Sequence, residues 1–232
     1  MKKFHFITQS KGGVGKSLLM YLFALKYGHK KDTLFVDLDS STESSKSQLS
    51  FIDPDNFDMV SLSDEKEALV RDQLVSYLEE LSLSHFEEVY FDMGAPESAQ
   101  LPALIRYDLP MKEFADELGF EMVFHVVIAG GTAYKPSVSY LTQMVQTAAA
   151  DFKIIVWKSI TSFRKFPELA DELEANCRKL NLEFRQFGDF EPESELGGKI
   201  LDGARLGFGL KDYQTGPRMK LKAQLQMHFS HE

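Results

Sequence analysis

Apolar residues fall along this chain in two kinds of block. Short, nearly continuous runs occupy residues 4–8, 33–37, 87–92, 121–129, 152–157 and 182–187. Runs this dense and this short read as strands buried on both faces, as in a parallel sheet. Between them lie stretches with helical spacing. Residues 18–27, 110–118, 135–150 and 167–180 are predicted helices, the second with Pro110 in its first turn and Gly119 closing it. The fourth carries Leu169, Leu173, Cys177 and Leu180 on one face. Residues 64–81 form a looser helical stripe of Ala68, Leu69, Val75, Leu78 and Leu81, and residues 53–63, with Pro54, read as a loop. The tail, 219–229, alternates with period two, and its apolar residues scatter on a helical wheel. It reads as a strand or as a helix packed on two sides, not as an amphipathic membrane helix. Strands alternating with helices predict an α/β domain of three layers, its mostly parallel central sheet covered by helices on both faces. No repeat, low-complexity tract or linker divides residues 1–232, so a single domain is expected.

Composition changes this picture little. Hydrophobic residues make up 44% and charged residues 26%, values of an ordinary globular protein. The net charge of −9 argues against a uniformly basic nucleic-acid-binding surface. One local concentration, Lys199, Arg205, Lys211, Arg218, Lys220 and Lys222 against Asp202 and Asp212, reads first as a solvated face and second as a DNA contact. No apolar run has the length needed to cross a bilayer. Lys2 and Lys3 are not followed by a signal-peptide pattern, so a cytoplasmic location is expected. Cys177 is the single cysteine; it allows no disulfide within the chain and suits a buried helix position. The six histidines lack metal-site spacing, and His125, inside an apolar strand, is expected in the core.

The chemistry concentrates where strands end. Lys11-Gly12-Gly13-Val14-Gly15-Lys16-Ser17 stands between a predicted strand and a predicted helix. This is the layout of a phosphate-binding loop. Glycines let backbone N–H groups turn inward around an anion, and the helix N-terminus adds its positive end. Lys16 is expected on the β- and γ-phosphates and the Ser17 hydroxyl on Mg²⁺. The general pattern asks for glycine at position 10, where this chain has Ser10. The second strand ends in Asp37-Leu38-Asp39 before the hydroxyl-rich stretch 40–47, like a Mg²⁺-linked switch segment. The third ends in Asp92-Met93-Gly94, with Asp92 placed to hold Mg²⁺ through water and the Gly94 N–H placed to sense a γ-phosphate. Gly130-Gly131-Thr132 follows another strand, where such sheets bind ligands.

These residues resemble the ParA/MinD family of deviant Walker A P-loop ATPases, whose loop K-G-G-x-G-K-[ST] is matched in full by residues 11–17 and tolerates Ser10. The resemblance extends in layout over the chain, is sharp at Lys11–Ser17, Asp37–Asp39 and Asp92–Gly94, and lies nearer the ParA-type partition ATPases. It implies the P-loop NTPase fold, ATP and Mg²⁺ as cofactors, and slow ATP hydrolysis in plasmid or chromosome partition. It also implies an ATP-dependent homodimer, a ParB-like adaptor and nonspecific DNA as partners, with no membrane expected. Within it, Gly12, Gly13, Val14, Gly15, Lys16, Ser17 and Gly94 bind nucleotide, and Ser17, Asp37 and Asp92 organise the metal. Lys11, reaching into the partner's site, joins Lys16 and Asp39, which positions water, as catalytic residues. Residues 200–210 are similar to the loop and short helix that closes over the base. Many relatives carry asparagine where this chain has Trp157-Lys158-Ser159, so Trp157 either stacks on a base or, as aromatics at strand ends usually do, joins the core. Two other functions fit the same residues: a nucleotide-binding switch with negligible hydrolysis, and a MinD-like membrane-associated positioning ATPase.

Overall fold

The computed structural model describes residues 1–38, 47–60 and 71–229. Seven strands, β1 (Lys2–Thr8), β2 (Thr33–Asp37), β3 (Phe57–Met59), β4 (Glu88–Asp92), β5 (Phe120–Ile128), β6 (Lys153–Ser159) and β7 (Glu183–Phe187), form one sheet in the order β3-β2-β4-β1-β5-β6-β7. Every pairing is parallel. The strand pleat sorts the core into two layers. Phe4 and Phe6, Val89 and Phe91, Phe124 and Val126, Ile154 and Val156 point to one face. That face is covered by α2 (Arg71–Leu83), α3 (Ala95–Ala103), α4 (Met111–Leu118), α5 (Tyr134–Ala148), the short α6 (Ile160–Phe163) and α7 (Pro167–Lys179). Ile7, Phe35, Tyr90, Val127, Ile155 and Trp157 point to the other, under α1 (Lys16–Tyr27), α8 (Glu195–Arg205) and α9 (Thr215–His228). Burial on both faces is why these strands are apolar at nearly every position.

Several expectations change. The predicted loop 53–63 contains a 3-10 turn at Pro54–Asn56 and the edge strand β3. Three residues paired only with β2 are too short to show a period. Helix α3 was not legible, because it holds Pro96 and Pro102 and buries Glu97 and Ser98. Pro96 occupies its first turn, where a missing N–H costs nothing. The region 200–210 is the end of the eleven-residue α8 followed by a left-handed turn at Gly207, not a loop and short helix. The tail is a helix packed on one side, with Pro217, Leu221, Gln224 and Leu225 turned inward and Met219 and Met227 exposed. The looser stripe 64–81 falls partly outside the described residues, and its described part is α2. Cys177 and His125 are buried, as their settings suggested.

Candidate functional site

The glycine loop springs from the carboxyl end of β1, which sits in the sheet between β4 and β5. The loop must reverse direction within a few residues, and two glycines accomplish this with left-handed backbones: Gly13 at φ 73° and Gly15 at φ 105°. An L side chain would be strained at either position. Gly12 and Gly13 are exposed, and a Cβ added at either would meet nothing. Val14 is buried and pins the loop to the core. Helix α1 begins at Lys16, with Gly15 as its N-cap and the Leu19 N–H donating to the Gly15 carbonyl at 3.0 Å. Its first turn carries no acidic residue, so the positive end of its dipole is left for an external anion. Lys16 is 8% exposed, and its Nζ donates to the Gln9 carbonyl at 3.2 Å. Ser17 is half-buried in the same turn, and Lys11 is exposed on the loop.

Asp37 and Asp92 end neighbouring strands and are register partners across β2 and β4. Each is 1% exposed. Asp92 is also in register with Ile7 of β1. The Leu38 N–H donates to the Asp92 carbonyl at 2.9 Å and the Met93 N–H to the Ile7 carbonyl at 3.1 Å, stitching the three strand ends together. Two carboxylates are thus held side by side at the root of the glycine loop. Gly94 caps α3, directly after this pair. The donor set suits Mg²⁺: carboxylate and hydroxyl oxygens are hard ligands, and Mg²⁺ takes one or two carboxylates plus water and phosphate oxygens. Among the described residues no group of three or more His, Cys, Asp or Glu could hold a metal ion. The left-handed glycine turn and the helix end beside it fit a nucleotide's phosphates by their backbone N–H groups. Asp39 lies outside the described residues.

The fold adds residues that no motif singles out. Gln9 is fully buried between β1 and the loop. Its side-chain amide donates to the carbonyls of Val127, at 2.9 Å, and Ser137, at 3.3 Å. Its side-chain oxygen accepts the Lys11 N–H at 3.4 Å. Thr161 holds the turn after β7 by reaching the carbonyls of Gly188 and Phe190. Arg164 pairs with Asp189 and Glu191 in that turn. The only sequence signal for Gln9 is an amide at the end of an apolar strand; Thr161 and Arg164 have none. Trp157 is fully buried, and its indole N–H donates to His125 Nδ1 at 2.9 Å, so it belongs to the core and stacks on no base. Gly130 and Gly131 lie at the carboxyl end of β5, Gly130 backed against Ser162 and Phe163. The basic stretch is partly neutralised: Lys199 pairs with Glu195 and Arg205 with Asp202. No helix among the described residues is long and apolar enough to cross a membrane.

A parallel three-layer sheet whose first strand leads through a glycine loop into a helix, with carboxylates ending the adjacent strands, defines a P-loop α/β protein. The chain has, more narrowly, the fold of the ParA/MinD partition and positioning ATPases. It aligns over 97% of its length with 98% of a candidate plasmid partition protein of Borrelia burgdorferi bound to AMPPNP, at a TM-score of 0.57 and 14% identity. A ParA family ATPase from Chlorobium tepidum aligns with 98% of this chain over its whole length, at 0.52 and 13%. The MinC:MinD cell division complex of Aquifex aeolicus matches 95% of this chain and 93% of that one, at 0.54 and 13%. In sequence, the chain is 29% identical over 174 residues to a protein TraL of Escherichia coli. That match covers 68% of this chain and 63% of the relative, so less than two thirds of the TraL protein is matched. No protein-family model matches the chain.

Proposed function

We propose that this chain is a Mg²⁺-dependent, ATP-hydrolysing switch that dimerises around ATP, of the kind used in plasmid or chromosome partition. The observation that carries the reading is one arrangement: a glycine loop turned by left-handed Gly13 and Gly15, a buried Lys16 at its exit, and Asp37 and Asp92 in register beside it. Loop N–H groups and Lys16 hold the β- and γ-phosphates, and the Gly94 N–H faces the γ-phosphate. Ser17 directly, with Asp37 and Asp92 through water, would hold Mg²⁺, which when bound supplies charge neutralisation at the phosphates. Lys11, exposed on the loop, lends its ammonium to the nucleotide of a second copy, so each site is complete only in the dimer. Asp39 orients the attacking water. Positioning and charge neutralisation of this kind give slow turnover until a partner improves them. A ParB-like adaptor is the class of partner that fits, with nonspecific DNA as the surface. The AMPPNP bound to the Borrelia protein and the MinC bound to MinD support nucleotide and adaptor as classes.

The test is phosphate release and light scattering on the purified chain with ATP and Mg²⁺. Wild type turns over slowly and shifts to a dimer with ATP. Lys16→Ala loses nucleotide binding, and Lys11→Ala binds ATP as a monomer. Asp39→Ala dimerises but turns over about 10²-fold more slowly. An ATP-dependent dimer without turnover in wild type would make the protein a binding switch. Neither turnover nor association would remove the proposal altogether.

A further inference from the structure

At the amino end of the sheet, opposite the glycine loop, lies a cavity of about 250 Å³. The seven residues of β1 separate the two ends by roughly 20 Å. The cavity opens on the face covered by α1. Its cations come from four places in the chain: Lys3 of β1, Lys30 after α1, Lys153 of β6 and Arg185 of β7. Glu88 and Glu121 are the lining carboxylates, which leaves the lining at +2. Glu183, outside the lining, pairs with Lys153 and Arg185 and lowers the balance to +1. The chain as a whole carries −9, so this is a local island of positive charge.

A chain of hydrogen bonds with a fixed direction runs from the core beneath the cavity to two of its lining residues, His5 and Glu88. The Trp157 indole can only donate, so His125 Nδ1 accepts, at 2.9 Å. His125 Nε2 therefore carries the hydrogen and donates to His5 Nδ1, also at 2.9 Å. His5 Nε2 in turn donates to Glu88 Oε2 at 2.6 Å. One oxygen of Glu88 is thereby committed to this chain. Arg185 has a side chain only 11% exposed, lies 5.5 Å from the centroid of the Trp157 ring and is bonded to Glu183. Its Nε and Nη2 both point at Glu183 Oε1, which fixes the guanidinium as a positive charge in the cavity wall.

We propose that this cavity binds a phosphoryl group, either inorganic phosphate or the end of a small phosphate ester. Phosphate oxygens accept charge-assisted hydrogen bonds from ammonium groups, and Lys3 and Lys30 carry the two in the lining that Glu183 does not hold. A monoprotonated phosphate also offers an O–H donor to Glu121, which a carboxylate ligand cannot. A cavity of about 250 Å³ has room for a phosphate and further atoms. The inference does not depend on what the glycine loop binds.

Trp157 is the single tryptophan, and it touches both Arg185 and the histidine chain, so its emission reports on the cavity. Inorganic phosphate, glycerol phosphate and malonate are titrated separately into the Lys16→Ala chain, which removes the main phosphate contact of the glycine loop. A saturable emission change with phosphate or its ester is expected, weakened at least tenfold in a Lys3→Gln/Lys30→Gln variant, whose changes lie at the rim. Saturation by inorganic phosphate assigns the free ion, and saturation by glycerol phosphate alone assigns the ester. Equal binding of malonate overturns the phosphoryl assignment. No saturable change, or one untouched by the lysine substitutions, overturns the site.

Discussion

Gln9 is completely buried, and each of its polar groups has a partner. Its backbone N–H reaches Ser98 Oγ at 3.2 Å, its carbonyl receives Lys16, and its amide bridges β5, α5 and the Lys11 N–H. The residue therefore ties the glycine loop to two other elements. Gln9→Met keeps the volume but removes the side-chain hydrogen bonds to the Val127 and Ser137 carbonyls and releases the Lys11 N–H. A loss of about 1–3 kcal/mol of stability is expected in urea unfolding. If Gln9 acts through Lys11, a double-mutant cycle on ATP-dependent association will show the two losses to be non-additive. Independent losses would reduce Gln9 to a core residue.

At the scale of elements, α8 and α9 are joined by close contact more than by sequence pattern. A Cβ added to Gly203 would lie 2.4 Å from Tyr213 Cε1, so the ring rests where a side chain would stand. The Tyr213 hydroxyl reaches the Ile200 carbonyl at 3.0 Å and lies 2.8 Å from the Tyr21 hydroxyl of α1. Gly203→Ala displaces that ring and costs about 1–3 kcal/mol. A lowered urea midpoint with altered near-ultraviolet tyrosine dichroism is the expected result. On α9, Arg218→Glu or Lys222→Glu weakens sequence-independent DNA binding if the tail patch is the contact. That binding is expected only with ATP and falls steeply with salt. Unchanged affinity in filter binding leaves the patch a solvated face, the reading that the Lys199 and Arg205 pairs favour.

For the molecule as a whole, the buried histidine chain links stability to acid. Burial, followed by the charges of His5, Arg185 and Lys153, holds His125 well below the ordinary histidine value. The unfolded chain takes up this proton near pH 6.5 while the folded chain does not. The contribution of His125 to stability is therefore flat above that pH and falls below it, by up to about 1.4 kcal/mol per pH unit. Glu88 adds to the loss at lower pH. Burial raises it, but the His5 hydrogen bond and the charges of His5, Lys3 and Lys30 outweigh burial and hold it below its usual value. Its contribution is present above the unfolded carboxylate value and disappears as pH falls through the folded one. Urea unfolding at pH 7.5, 6.5 and 5.5 should show the slope, with about one proton less in His125→Asn. An equal slope in that variant would assign the acid sensitivity elsewhere.

Six strands, the order of loop and helix, and the glycine cradle were determined by the sequence itself. Strands covered on both faces must be apolar throughout, and a backbone that turns around phosphate needs glycine at fixed spacing, so both leave local marks. Tertiary structure alone decided the rest. Strand β3 exists only because β2 offers it an edge, and α3 forms despite two prolines because its buried face packs on the sheet. Gln9, Gly203 and the line from Trp157 through His125 and His5 to Glu88 depend on residues from ten to more than a hundred positions apart. Contacts of that range leave no period or motif in a single chain, and they form only when the parallel sheet brings its strands into register.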